Sequence, residues 1–214
     1  MSQTEKAYPK IRDAITYGQL KPGERLVETK ICEIFKVGRT PLREALRQLQ
    51  MEGYIDVFSN KGAVISKISI RDVEEIYNIA AILEGYATEV ATGYIRTLDK
   101  KELRSIHNDL KEAGLMKNYR KWLEKNALFH GYFTKISGNL HLSKVVDSLR
   151  DRIYRYRFIA ITIPGHIEKY IQAHEDILEA IFKKNEEQAG EVMRRHVFYV
   201  QQVLVEFIKQ FPGL

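Results

Sequence analysis

Three of the six histidines lie at positions that predict burial inside a helical structure. His130, His174 and His196 each have apolar neighbours at helical spacing on both sides, so each imidazole lies on the apolar face of a different predicted helix. A buried imidazole needs a hydrogen-bond partner or a metal ion, because both of its nitrogens lose water. A single histidine of this kind is more often a hydrogen-bonded core residue. Three of them on three helices favour convergence on one divalent metal ion, since neutral imidazole is the commonest metal ligand in proteins.

The ligand types narrow the choice of metal. Three nitrogen ligands without a thiolate favour zinc or nickel over calcium or magnesium. The other three histidines, His107, His141 and His166, fall on polar faces or at helix ends of the predicted elements, and we assign them no role.

A second set of chemically active side chains is the arginine row within residues 37–54. Arg39, Arg43 and Arg47 follow one another at four-residue steps, and an apolar stripe occupies the other side of the same predicted helix. Pro41 fits only the first turn of such a helix, where its missing N–H is harmless. A short helix with a packed back and an arginine-lined front is what reading the DNA major groove requires. By itself the segment is equally compatible with an ordinary surface helix that has a solvated basic face.

The flanking elements place the arginine helix in a winged helix-turn-helix. The pattern predicts a first amphipathic helix, a second helix over Glu28–Phe35 and a tight turn before the arginine helix. Two strand-like runs, Tyr54–Phe58 and Ala63–Ser66, follow and are joined by a turn that suits a hairpin. Lys61 and Gly62 at the hairpin tip are placed to approach DNA phosphates, because glycine lets the backbone come close.

From Ser69 onward the pattern is helical, and six predicted helices without strand signals indicate an antiparallel bundle. The predicted fold class is therefore mostly α, with an N-terminal winged helix-turn-helix over residues 1–68. Residues 69–214 would form a six-helix domain for metal binding, effector binding and dimerisation. The predicted helices cover about Ile70–Thr97, a segment starting at Asp99 in a capping-box-like pattern with Glu102, Tyr119–Ser137, Leu140–Ile161, His166–Lys184 and Asn185–Gln210.

The composition fits a folded protein in a reducing compartment. Of the 214 residues, 44% are hydrophobic and 29% charged, and Cys32 is the single cysteine, which excludes an intramolecular disulfide framework. Apolar runs are too short to span a bilayer, and we expect a cytoplasmic location. Residues 1–68 carry 12 Lys and Arg against 8 Asp and Glu, and the remaining residues carry 22 against 20. This concentration of positive charge near the N-terminus is typical of a polyanion binder.

Residues 7–66 resemble the N-terminal domain of the GntR family of bacterial transcription regulators. The elements PGERL, RTPLREAL and NKGA occur in the order and spacing of that family. The resemblance implies that Arg39, Thr40 and Arg43 contact DNA and that Gly62 is the glycine of the wing.

Two positions in this domain depart from the family pattern. Gly38 stands where Ser or Thr usually caps the recognition helix, and it lacks the hydroxyl that can contact phosphate. Thr29 stands where an arginine is common, and the neighbouring Lys30 is the residue that could compensate.

The helical region resembles the FCD ligand-binding domain, which follows the winged helix in one subfamily of these regulators. The segments NALFH at residues 126–130 and SGN at residues 137–139 carry this resemblance. It implies that a divalent metal is held by an aspartate and three histidines, which here correspond to Asn126, His130, His174 and His196.

Two further departures concern this domain. Asn126 replaces the aspartate ligand by a neutral, weaker donor, and an uncompensated metal charge in an apolar bundle predicts that an anion completes the shell. Ala80 stands where the family often carries an arginine that holds the carboxylate of the effector. Arg152 and Tyr156, four residues apart on one predicted helix, are the candidate substitutes in an effector site for a small carboxylate.

The leading interpretation is a ligand-responsive transcription regulator, a repressor that binds a palindromic double-stranded DNA operator as a homodimer. A DNA-binding protein whose helical domain has lost effector and metal binding is the first alternative. The other alternative is a metal-dependent hydrolase. An enzyme is disfavoured because the sequence has no HExxH-type spacing, and Glu175 beside His174 points away from the ligand face.

Overall fold

The computed structural model describes residues 3–60 and 62–211, so that Lys61 lies outside the described residues. The chain divides into two compact units, one of residues up to Ser69 together with those from Ile208 onward, and one of Ile70–Phe207. Within the described residues, no helix combines the length and the apolar character that crossing a membrane requires.

The first unit is a three-helix domain with a small sheet. Its elements are α1 Gln3–Thr16, β1 Arg25–Leu26, α2 Glu28–Phe35, α3 Arg39–Met51, β2 Ile55–Phe58 and β3 Gly62–Ile65. The strands are antiparallel in the order β1-β3-β2, and Arg25 pairs with Val64. The sequence pattern does not predict β1, because two residues are too few to show an alternation. The winged helix-turn-helix is confirmed.

The back of α3 supplies the core of this unit. Leu42 and Leu49 are fully buried and pack with Ile11 of α1 and Ile55 of β2. Gly53 ends the helix with a φ of 75°, a left-handed conformation that glycine adopts without a steric penalty. The reversal lets the next strand begin immediately, so the apolar stripe of the helix and the wing share one core.

Six helices build the second unit, as predicted. They are α4 Ile70–Tyr94, α5 Thr97–Leu115, α6 Tyr119–Ile136, α7 Leu140–Thr162, α8 Ile167–Phe182 and α9 Glu186–Gln210. Gly138 has a φ of 69° between α6 and α7, and the side chain of Asn139 caps α7 by accepting a hydrogen bond from the amide of Leu142 at 3.0 Å. Asn185 caps α9 in the same way through the amide of Gln188 at 3.2 Å.

Two glycines let α4 and α9 approach closely. A Cβ atom on Gly85 would lie 3.1 Å from the carbonyl oxygen of Gly190, and one on Gly190 would lie 3.0 Å from that of Gly85. These distances are tighter than ordinary carbon–oxygen contacts, so larger side chains would force the helices apart. The crossing places the side chains of α9 next to those of α4 in the bundle core.

The start of α5 differs from the prediction by one turn. The N-cap is Arg96, and Asp99 is the third helical residue. The Asp99 carboxylate accepts hydrogen bonds from the Arg96 amide at 2.9 Å and the Arg96 guanidinium at 2.9 and 3.2 Å, and from the Tyr132 hydroxyl at 3.1 Å. The hydrogen bond from the Arg96 side chain is the largest cause that lowers the pKa of Asp99 to about 2.

We expect Asp99→Asn to lower the free energy of unfolding by about 1–2 kcal/mol at pH 7, as for the loss of a helix cap. The folded-state pKa of Asp99 lies below its unfolded value, so this stabilisation is present above about pH 4 and is lost as the pH falls toward 2. Urea unfolding at pH 7 and at pH 3 measures the difference. The exposed Asp176→Asn is the control, and an equal effect of Asp99→Asn at both pH values would contradict the assignment.

Candidate nucleic-acid interface and metal centre

The solvent face of α3 carries the predicted DNA-contacting residues. Arg39, Thr40 and Arg43 are exposed, whereas the apolar stripe on the other side of the helix is buried. Lys30 on α2 and Gly62 at the start of β3 are exposed as well. Gly62 has a φ of 72°, which explains why glycine suits this position. Lys61 lies outside the described residues.

Glu28 positions the guanidinium of Arg43. Nε of Arg43 lies 3.1 Å from each carboxylate oxygen of Glu28, and one terminal nitrogen lies 3.1 Å from Oε2. The Arg43 side chain remains 66% exposed, and the hydrogen bond to Glu28 raises its pKa above the usual range. Glu28 is not identifiable from the sequence pattern, because its pairing with Arg43 depends on how α2 crosses α3.

The three predicted metal ligands converge in the core of the bundle. His130 on α6, His174 on α8 and His196 on α9 are buried, and each offers a ligand atom within 4.8 Å of the others. Nε2 of His174 lies 3.1 Å from Nε2 of His196. Two nitrogens at about 2.0–2.1 Å from one shared ion would be about this far apart.

The protonation states of these rings fit a divalent cation. Burial lowers the pKa of His174 and His196 well below the usual range, so both imidazoles are neutral and have a lone pair to donate. His130 uses Nδ1 in a hydrogen bond, and its Nε2 has no partner among the described residues. Oδ1 of Asn126 is buried and likewise unpartnered in the described part of the chain. The three histidines therefore fit a divalent metal, to which the carbonyl of Asn126 would add a weaker fourth donor.

Glu84 on α4 is a further residue beside the histidines that the sequence pattern does not single out. Its carboxylate is 2% exposed and accepts a hydrogen bond from Nδ1 of His130 at 2.5 Å, one from Arg157 at 3.2 Å and one from Arg150 at 3.4 Å. Burial raises the pKa of Glu84, but the charge of Arg150 and the interaction with His130 outweigh it and hold the pKa well below the usual range. The sequence feature that could identify Glu84 is its position on the apolar stripe of α4, four residues after Ala80, where a carboxylate is unusual.

A small cavity adjoins His130 and His196. Its volume is about 20 Å³, which is enough for an ion or for one or two water molecules. Arg157 lines this cavity, whereas the predicted effector residues do not. Arg152 is exposed, and the Tyr156 hydroxyl is buried at 3.2 Å from a terminal nitrogen of Arg155. The helix phase of α7 thus turns Arg157 inward in place of Arg152.

His107 also differs from its predicted position on a polar face. It is buried, with Nε2 at 3.4 Å from the carbonyl oxygen of Ile171 and Nδ1 at 3.3 Å from the Glu175 carboxylate. It lies four residues after Leu103 and three before Leu110, which is the apolar spacing that could have identified it. Since both nitrogens have other neighbours, His107 lies outside the candidate ligand set.

Comparison with known proteins identifies a family for each of the two parts of the chain. Residues 3–65 match the family described as bacterial regulatory proteins, gntR family, and residues 75–198 match the FCD domain. The uncharacterized HTH-type transcriptional regulator YdhC of Bacillus subtilis is 30% identical over 200 residues, covering 88% of this chain and 85% of its own length. The HTH-type transcriptional repressor RspR of Escherichia coli is 23% identical over 206 residues, covering 96% and 89%.

The fold has a close counterpart among solved structures. The structure of McbR/YncC from Escherichia coli superposes with a TM-score of 0.77 at 23% identity and covers 98% of both chains. The hydrolase alternative finds no support in these relatives, which are named as regulators. Because the match to the FCD domain alone extends over more than half of the chain, the chain belongs to the GntR family of DNA-binding bacterial transcription regulators, in the branch that carries an FCD effector domain.

Proposed function

We propose that this regulator is a cytoplasmic, homodimeric repressor that binds a palindromic operator and responds to a divalent metal ion and a small carboxylate. The observation that supports a response to metal is that His130, His174 and His196 converge in one buried place. Asn126 adds a buried carbonyl that has no partner among the described residues. Each of these residues has a buried nitrogen or oxygen atom without a partner among the described residues, and such atoms are costly because they have lost water.

The proposed dimer follows from the size of the DNA-binding face. One short helix and a wing offer few base contacts, and two copies related by a twofold axis would double them on a palindrome. The name of the relative RspR, a transcriptional repressor, supports the sign of the regulation.

The proposed metal is zinc or nickel, because the donor set is nitrogen-rich and lacks thiolates. When bound, the metal would supply a positive charge that attracts an oxyanion to its open coordination position. His130 is oriented for this role by its hydrogen bond to Glu84, which leaves Nε2 free to ligate. Asn126 adds no negative charge, so an anion is needed to balance the ion.

The response of the operator tests the regulatory proposal. Metal or effector can shift DNA binding only if it binds the two forms of the protein with different affinities, and we expect a change in operator affinity of about 5- to 150-fold. The measurement is a fluorescence-anisotropy titration of a selected palindromic duplex with metal-loaded protein, chelated protein and metal-loaded protein with acetate. Identical curves in all three conditions would instead support the alternative of an inert helical domain.

The arginine face leads to a separate prediction for DNA. We expect Arg43→Ala to lower the affinity for the selected palindrome by about 5- to 150-fold while changing the affinity for random duplex much less, because arginine reads guanine through two hydrogen bonds. Lys61→Ala should weaken both duplexes alike, as expected for a phosphate contact. The same titration at several salt concentrations separates the two effects, and its stoichiometry should be two chains per palindrome.

The exposed Arg120 on α6 provides the matched control, since Arg120→Ala removes the same charge far along the sequence from the recognition helix. Equal losses of Arg43→Ala on the palindrome and on random DNA would show that Arg43 contacts phosphate and not bases. A single chain per duplex would contradict the dimer.

A further inference from the structure

A metal ion can reach the three histidines only through an opening in the bundle. His130, His174 and His196 are 2%, 0% and 5% exposed, so solvent has almost no contact with the converging rings. Close-packed side chains leave no channel of the width of an ion, and a buried metal site therefore needs an entry path. Such a path is expected where the elements around the site are held together least firmly.

Among the described residues of the second unit, the connection between α7 and α8 is the least firmly closed. It consists of residues 163–166, and neither helix end there has a capping hydrogen bond: Ile163 is extended, and the side chain of His166 caps no amide. A side-chain capping hydrogen bond closes each of the other four connections of this unit, through Asp99, Asn118, Asn139 and Asn185. The α7–α8 turn thus lacks the local bonds that fix its counterparts.

A single side-chain hydrogen bond joins this turn to α9. Nδ1 of His166 lies 2.7 Å from the hydroxyl of Tyr199. Within the described chain it is the only hydrogen bond between residues 163–166 and a helix other than α8. The centroids of the His166 and Tyr199 rings also lie 6.3 and 5.8 Å from that of Tyr170. The polar attachment of the turn to α9 therefore depends on one pair of atoms.

The turn lies beside the cavity that adjoins the histidines. Ala160 and Ile161 at the end of α7 line this cavity, as does Tyr170 in the first turn of α8. On the side of α9 the wall is formed in part by His196 and Val200, and the rings of Tyr170 and His196 are 6.4 Å apart. An outward movement of the turn would draw the ends of α7 and α8 away from α9 and open the cavity to solvent.

We propose that residues 163–166 form the entry gate of the metal site and that the hydrogen bond between His166 and Tyr199 holds this gate closed. The inference rests on the proposed function, because it concerns the route of the metal that the function requires. The hydrogen bond involves none of the candidate ligand atoms, so it contributes equally to the metal-free and the metal-loaded protein. Weakening it speeds entry and release by the same factor and leaves the dissociation constant unchanged. The gate thus sets how quickly the regulator follows a change in metal concentration.

The first test is the rate at which the full-length protein, loaded with one equivalent of zinc, releases the ion to an excess of a chromogenic chelator. Tyr199→Phe keeps the ring and removes the hydroxyl, and we expect release about 3- to 10-fold faster than from wild type, as for the loss of one hydrogen bond. The dissociation constant in a zinc-buffered titration should stay the same. His166→Phe should act alike, and the double variant should release zinc no faster than either single variant.

Tyr8→Phe is the matched control, because it also removes a hydrogen-bonded hydroxyl, which donates to Glu52, but lies in the first unit. It should release zinc at the wild-type rate. Equal release rates of wild type and Tyr199→Phe would overturn the gate. A weaker affinity of Tyr199→Phe at an unchanged association rate would overturn it too, since the hydroxyl would then act on the metal site itself.

Amide hydrogen exchange of the metal-free protein tests the gate without zinc. The amide of Tyr170 donates to the carbonyl of His166 at 3.0 Å, so its exchange reports opening at the start of α8. Tyr199→Phe should speed exchange in the peptide that spans residues 163–170 by about 3- to 10-fold and leave peptides of the first unit unchanged. Unchanged exchange in that peptide would overturn the gate alone, whereas failure of wild type to bind zinc would contradict the proposed function.

Discussion

Removal of the metal by a chelator should lower the melting temperature of the wild-type protein by several degrees, and His174→Ala should abolish this response. His174 is fully buried, and its Nε2 faces that of His196 at 3.1 Å, so the substitution removes one of the three nitrogens that converge there. A ligand present at about 1,000 times its dissociation constant stabilises the folded state by about 4 kcal/mol. Melting curves with and without chelator, together with metal analysis of the purified protein, measure the effect.

The comparison must use the chelator response and not the melting temperature alone, since alanine in the core also leaves a cavity. His141→Ala removes an exposed histidine and should retain the full response. If wild-type protein contains no metal and melts identically with and without chelator, the three histidines are core residues and the metal centre does not exist.

Glu84→Gln should lower the free energy of unfolding by about 3–5 kcal/mol, the range seen when one partner of a buried ion pair is removed. The change preserves the shape of the side chain but leaves the guanidinium groups of Arg150 and Arg157 without the carboxylate that now balances them. It also removes the acceptor of the Nδ1 hydrogen bond of His130, and loss of such an outer partner typically weakens metal binding about 10- to 100-fold.

Glu175→Gln is the control for this prediction. Glu175 also pairs with an arginine and a histidine, Arg104 and His107, but its side chain is 40% exposed. Solvent screens such a pair, and we expect a change of at most about 1 kcal/mol. Urea unfolding of the metal-free proteins isolates the ion pairs from metal linkage. Equally small effects of the two substitutions would show that Glu84 is not a central support of the bundle.

Periodicity was sufficient to predict the helices and much of the core. The stripe of Leu42, Leu46 and Leu49 identifies the packed face of α3, and the six helices of the second unit were predicted with small errors at their ends. The starts of helices are harder to predict. Arginine is not one of the usual N-cap residues, so the sequence pattern places the start of α5 at Asp99 and not at Arg96. The sequence pattern does not predict strand β1, because its two residues can be recognised as a strand only from their pairing with β3.

The candidate site was predictable where a single helix carries the signal. His130, His174 and His196 each lie on an apolar stripe, and the structure brings them together. Residues that act across helices were not predictable in this way. Glu84 pairs with residues on α6 and α7. Spacing alone does not fix the rotation of α7, so the sequence pattern points to Arg152, whereas the structure turns Arg157 inward.

Because Glu28 pairs with Arg43, a DNA base would have to compete with a carboxylate for the Arg43 guanidinium. In free protein the guanidinium already has a bidentate anionic partner on α2. A guanine edge offers two acceptors and can replace that partner, whereas a base edge with one acceptor, or a methyl group, replaces it poorly. If Arg43 reads a base as proposed, part of the discrimination between sequences would come from the loss of its pairing with Glu28. We therefore expect a Glu28→Ala protein to bind DNA more tightly and to discriminate less between sequences.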